Sequence, residues 1–217
     1  MPRSFFKDLF QDLFRILKAR LDNSELNNLE KLTEFIHSRS AYVAQTSLYG
    51  YLKTRMGRQY VDIFQDKRYA VSLNQAKWKI YFACLSDLVI FAVGTIVVQR
   101  DLGKLDPAEL AIACFENCVR VSTDNECPYS VKEDALGAFK KRAEVSHWAN
   151  ASIGANAFTL SPETLANNSP VIEKYQELDR EIVLNSVRFR WNNIRDEFIQ
   201  RANKDLLLSA WQENRTF

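Results

Sequence analysis

Asp87 is the one charged residue in Ile80–Val98, which reads IYFACLSDLVIFAVGTIVV. A carboxylate in such surroundings either meets a hydrogen-bonding or cationic partner or shifts its ionisation, because an unpaired charge in an apolar interior is costly. Arg55, Arg188, Arg190 or a tyrosine hydroxyl are the partners the sequence suggests. The structural reading is an ion pair; the functional one is an acid lining a pocket. A second cluster, Tyr49, Tyr51, Lys53, Arg55, Arg58 and Tyr60, interleaves aromatic and basic side chains. That chemistry suits a phosphate-bearing ligand, an RNA or an acidic protein surface, and equally a solvated helix face beside Asp62 and Asp66.

Signatures of catalysis are sparse. The chain carries no P-loop, dinucleotide fingerprint, His-Glu-x-x-His or Gly-x-Ser-x-Gly pattern. Cys114 and Cys118 stand one helical turn apart, and with Cys127 and His147 they could supply four zinc ligands, but the spacing matches no standard knuckle. They read instead as small buried thiols, so no metal or other cofactor is expected. Ser152 follows His147 closely, with neither an orienting acid nor an oxyanion hole in the pattern.

Stretches Leu48–Gly57 (LYGYLKTRMG) and Ala76–Leu88 (AKWKIYFACLSDL) resemble those of a family of uncharacterised bacterial helical proteins loosely labelled esterases. The resemblance covers most of the chain and implies that residues 48–57 and Asp87 belong to one structural or functional unit. No serine occupies a nucleophile elbow, so it transfers an esterase role to no residue.

The elements that must position these groups are helices. Only six glycines and five prolines interrupt 217 residues, and apolar residues recur every three or four positions. The spacing predicts an amphipathic N-terminal helix over residues 4–21, then a helix through Leu26–Ile36 and a third capped by Ser40 and closed by Gly57. Tyr60–Phe64 forms a short piece before a fourth helix from Tyr69 to Gln99. Asp106-Pro107 opens a fifth, reaching Val121. Ser130-Val-Lys-Glu133 fits a capping box and opens a sixth, reaching Trp148. Residues 150–169 are expected to be largely irregular, with one turn at Ser161-Pro-Glu-Thr, before a long helix from Ser169-Pro170 to Arg201 and a last turn or two at Leu206–Trp211. Val89–Val98 is rich in β-branched residues that also suit a strand; the helical pattern upstream decides for helix.

The expected fold is therefore all-α, a single helical bundle of about seven helices over residues 1–217 around a largely buried apolar helix, with 4–21 separable. Insertion of residues 80–98 into a bilayer comes out near balance or mildly favourable: eleven Leu, Ile, Val and Phe contribute roughly −0.3 to −0.6 kcal/mol each, against about +2.5 to +3.5 for Asp87. A polar upstream half, and amphipathic helices that need a surface to pack on, favour the core. Residues 1–100 carry fifteen Lys and Arg against nine acids, whereas the remainder carries fourteen against eighteen. The net charge of +2 thus conceals two fields of opposite sign, which argues against nucleic acid as a partner. Four cysteines without a cleavable signal point to a reducing cytoplasm.

These features rank a non-enzymatic interaction or adaptor protein first, peripheral to a membrane through residues 4–21 or bound to a protein partner. A ligand-binding or hydrolase-type bundle with a pocket around Asp87 is the alternative, and a single-span membrane protein the third.

Overall fold

A computed structural model describes residues 23–57, 66–103, 105–122, 127–154 and 156–214. Its described residues form eight helices and no strand: α1 (Leu29–Met56), α2 (Lys67–Val97), α3 (Pro107–Ser122), α4 (Tyr129–Glu144), α5 (Trp148–Ser152), α6 (Leu160–Asn168), α7 (Glu173–Arg201) and α8 (Lys204–Asn214). The expected helix over 4–21, the piece at Tyr60–Phe64 and the side chains of Arg58 and Tyr60 lie outside the described residues.

Caps set most helix starts. Asn28 accepts the Lys31 amide at 2.9 Å to begin α1, Asp66 accepts those of Arg68 and Tyr69 to begin α2, and Asp106 accepts that of Ala108 beside Pro107. Each satisfies amides that the first helical turn leaves without a partner. Gly57 ends α1 at φ 53°, where a Cβ would be strained.

Four expectations are corrected. The second and third predicted helices are one continuous α1, because neither Gly nor Pro interrupts Ser38–Ser40; these side chains are buried in mid-helix, and Ser40 caps nothing. The capping box at Ser130 does not form. Helix α4 already begins at Tyr129 behind Pro128, so the Ser130 hydroxyl lies inside the first turn; the helix also ends at Glu144, short of Trp148. Most of residues 150–169 is helical, in α5 and α6, because Asp87 caps the second from another element. Finally, α7 begins at Glu173 rather than at Pro170.

Helix α2 is the centre of the bundle, with α1, α3, α4, α5, α6 and α8 packed round it and α7 resting on α1 and α6. Every residue from Ile80 to Val97 is buried, and full burial of a Leu, Ile or Phe side chain contributes about 1.5–3 kcal/mol. This is the described helix long and apolar enough to cross a bilayer, and its apolar window faces protein on all sides. Helix α5 approaches α2 at Gly94, where a Cβ would lie 2.8 Å from the Trp148 carbonyl oxygen. Leu26 and Ala202 form an isolated parallel bridge: the Leu26 amide donates to Arg201 and the Asn203 amide to Leu26.

Candidate functional site

Asp87 is fully buried on α2. Its Oδ1 accepts Arg142 Nη1 at 2.7 Å and the Leu160 amide at 3.2 Å, and its Oδ2 accepts the Ser161 amide at 2.7 Å. The partner is Arg142, a residue of α4, in place of Arg55, Arg188, Arg190 or a tyrosine. A carboxylate borrowed from α2 thus caps α6, whose own Thr159 supplies no side-chain cap, and it lies at the positive end of that helix.

The network extends to the neighbouring helices. Arg142 Nη1 also donates to Ser86 Oγ at 2.8 Å, and its Nη2 donates to the Ala157 carbonyl at 2.9 Å. Trp191 Nε1 of α7 donates to Ser161 Oγ at 3.0 Å. Four helices, α2, α4, α6 and α7, therefore meet through one chain of hydrogen bonds. Burial pushes the Asp87 carboxyl upward, opposed by Arg142 and by the Ser161 hydrogen bonds.

In front of this network lies a cleft of about 230 Å³ between α2, α3, α4 and α6. Phe82, Phe115, Phe139, Val131 and Leu160 give it apolar walls, the rings of Phe115 and Phe139 stacked 4.1 Å apart. Ser86, Arg142, Lys79, Asp134 and Thr164 add polar side chains to the lining, and Ala83, Ala135 and Ala138 complete it. Asp87 itself does not line the cleft.

Tyr51 and Arg55 belong to a different centre. Tyr51 Oη lies 3.0 Å from Asp179 Oδ2, and the Arg55 guanidinium forms a two-pronged ion pair with the same carboxylate while covering the Tyr175 ring at 4.9 Å. Arg55 and Tyr51 hold the Asp179 carboxyl below its ordinary range against a smaller effect of burial; burial and Asp179 together push the Tyr51 hydroxyl up to about 12. These side chains join α1 to α7. Lys53 is exposed and Tyr49 half-buried. Of the five described candidate residues, Asp87 thus belongs to one carboxylate centre and Tyr51 and Arg55 to another, while Tyr49 and Lys53 join neither.

A third centre pairs α1 with the end of α7. Arg39 is buried and ion-paired to Glu197, whose Oε1 also accepts Arg201 Nη1 at 2.6 Å. Burial raises the Glu197 carboxyl, but the two guanidinium groups outweigh it and leave it below the usual value. Arg142, Asp179 and Glu197 went unrecognised in the sequence because their partners lie 55, 124 and 158 positions away. The signal available was an Arg or acid on the inward face of an otherwise apolar helical stripe.

Cys84, Cys114 and Cys118 are buried thiols, and burial raises all three, Cys114 to about 12. No group of three or more metal-ligating side chains occurs among the described residues. No family model, curated protein or solved structure matches the chain.

Proposed function

We propose that the bundle binds a small, largely apolar molecule with a hydrogen-bond acceptor at one end, such as a medium-length aliphatic or single-ring monocarboxylate. The observation that carries this reading is the apolar cleft of about 230 Å³ whose lining includes Ser86 and Arg142. Apolar pockets with a few convergent polar groups are the usual form of a small-molecule site, and this volume is below that of most drug-sized ligands.

The wall suits binding better than hydrolysis. Ser86 Oγ accepts a hydrogen bond from Arg142, which does not activate the hydroxyl for attack. Asp87 makes no hydrogen bond to the Ser86 hydroxyl; its carboxylate is held by Arg142 and the Leu160 and Ser161 amides. Arg142 retains N–H groups beyond the three bonds it makes, enough to meet one carboxylate oxygen.

Thermal unfolding with octanoate and with 1-octanol tests the reading. Octanoate should raise the Tm saturably and more than the alcohol, and Ala138→Trp, at an exposed position on the cleft lining, should abolish the gain. No saturable gain with either probe, or an undiminished gain in Ala138→Trp, refutes it.

A further inference from the structure

Helix α7 is apolar on both sides. Val183, Leu184, Val187, Trp191, Ile194 and Phe198 face the bundle. On the opposite side Leu178, Ile182 and Phe189 are 69, 72 and 71% exposed, with Tyr175 beside them. Spacings of three, four and seven residues put these four on one outward stripe, the pattern of a helix seam awaiting another helix. From Tyr175 to Phe189 the stripe is about 21 Å long at 1.5 Å per residue. An aligned apolar patch of this kind marks an interaction surface, unlike scattered exposed residues.

The charges beside the stripe identify its occupant. Lys174, Glu181, Arg188 and Asp196 are all exposed, and none forms an ion pair among the described residues. Their order along the helix is basic, acidic, basic, acidic. If a second α7 runs antiparallel across the first with a two-fold axis beside Asn185, Ile182 of each copy meets Phe189 of the other. In the same register Glu181 faces Arg188, and Lys174 faces Asp196. The exchange is reciprocal, so each contact occurs twice, as a two-fold interface requires. A parallel arrangement would instead put Glu181 and Arg188 opposite the other flank of the stripe, at Ser186 and Asn193, and would form none of these ion pairs.

We infer that the chain self-associates through the outward face of α7, as an antiparallel pair with Ile182 and Phe189 at its centre and Glu181–Arg188 contacts on its flanks. This goes beyond the cleft reading and does not depend on it, since the cleft lies between α2, α3, α4 and α6. Asn185 at the axis acts as a polar register mark; it accepts a hydrogen bond from Arg188 at 3.2 Å within the same helix.

Sedimentation of the full chain across micromolar concentrations is the test. The wild type should be dimeric, and Ile182→Asp/Phe189→Asp should be monomeric with unchanged helicity, since both positions are exposed. Glu181→Arg and Arg188→Glu should each weaken association by about tenfold or more, and the two combined should restore it, as expected when like-charge contacts are replaced by complementary ones. That rescue separates antiparallel self-pairing from general stickiness. A wild type that stays monomeric at the highest concentration overturns the inference, as does a dimer that survives Ile182→Asp/Phe189→Asp or a charge swap that fails to rescue.

Discussion

Asp87 has two neutralising influences, the Arg142 guanidinium and two α6 amides, and it is their joint presence that makes a charge tolerable at a fully buried site. Arg142→Met removes one and leaves a buried carboxylate short of its counter-ion, which should cost about 3–5 kcal/mol in urea unfolding near neutral pH. With the lowering effect of Arg142 gone, the carboxyl in the folded state moves further above its unfolded value near 4. A raised acid contributes stability below the unfolded pKa and loses it as pH rises through the folded one, so the variant's deficit should shrink at pH 5 relative to pH 8. A deficit that does not change with pH would mean that packing, not charge, dominates. Asp179 has the opposite sign: Arg55 and Tyr51 hold its carboxyl down, so its contribution is present above pH 4 and fades as pH falls through the lower folded value. Comparing acid-unfolding curves of the wild type and Asp179→Asn checks this, with a shallower decline below pH 4 expected for the variant.

At the level of elements, two glycines predict opposite outcomes for one substitution. Gly94 lies beneath α5, where an added Cβ meets the Trp148 carbonyl oxygen at 2.8 Å and the Ser152 amide nitrogen at 3.0 Å. These are backbone atoms that cannot rotate aside, so Gly94→Ala should destabilise by about 1–3 kcal/mol, as overpacking does. Gly137 on α4 has open space around its Cβ position. There Gly137→Ala should stabilise by about 0.5–1 kcal/mol through helix propensity alone. Denaturant midpoints of the two variants test the pair, and a loss at Gly137 would sink the propensity argument. The contrast also locates what the sequence conveys. Helices with a local capping signal, such as Asp106-Pro107 opening α3, are legible because the cap and the helix it starts are neighbours. Helix α6 is not: Thr159 offers no cap, and the carboxylate that starts the helix is more than seventy positions away. For the same reason the carboxylate of the candidate site was legible as Asp87 and its arginine was not, since an apolar surround demands a partner without specifying which helix supplies it.

For the whole molecule, the decisive fact is that six helices rest on α2. Its length and composition are those of a membrane span, and no count of apolar residues distinguishes that from a helix surrounded by other helices; the distinction comes from the amphipathic faces that need it as their common surface. An element that every neighbour touches cannot open alone, because exposing it removes apolar area from all of them at once. Amides of Leu85–Ile96 should therefore exchange with solvent only through global unfolding, with the slowest rates in the chain. Gly94→Ala and Arg142→Met perturb different neighbours of α2, so each should lower the protection of these amides by its own full unfolding free-energy loss. Amides on the outer turns of α4 should exchange by local opening and respond less. Native-state hydrogen exchange at a series of low denaturant concentrations measures both groups, and α2 amides that exchange faster than those of α7 would show that the bundle opens around its centre and not as a unit.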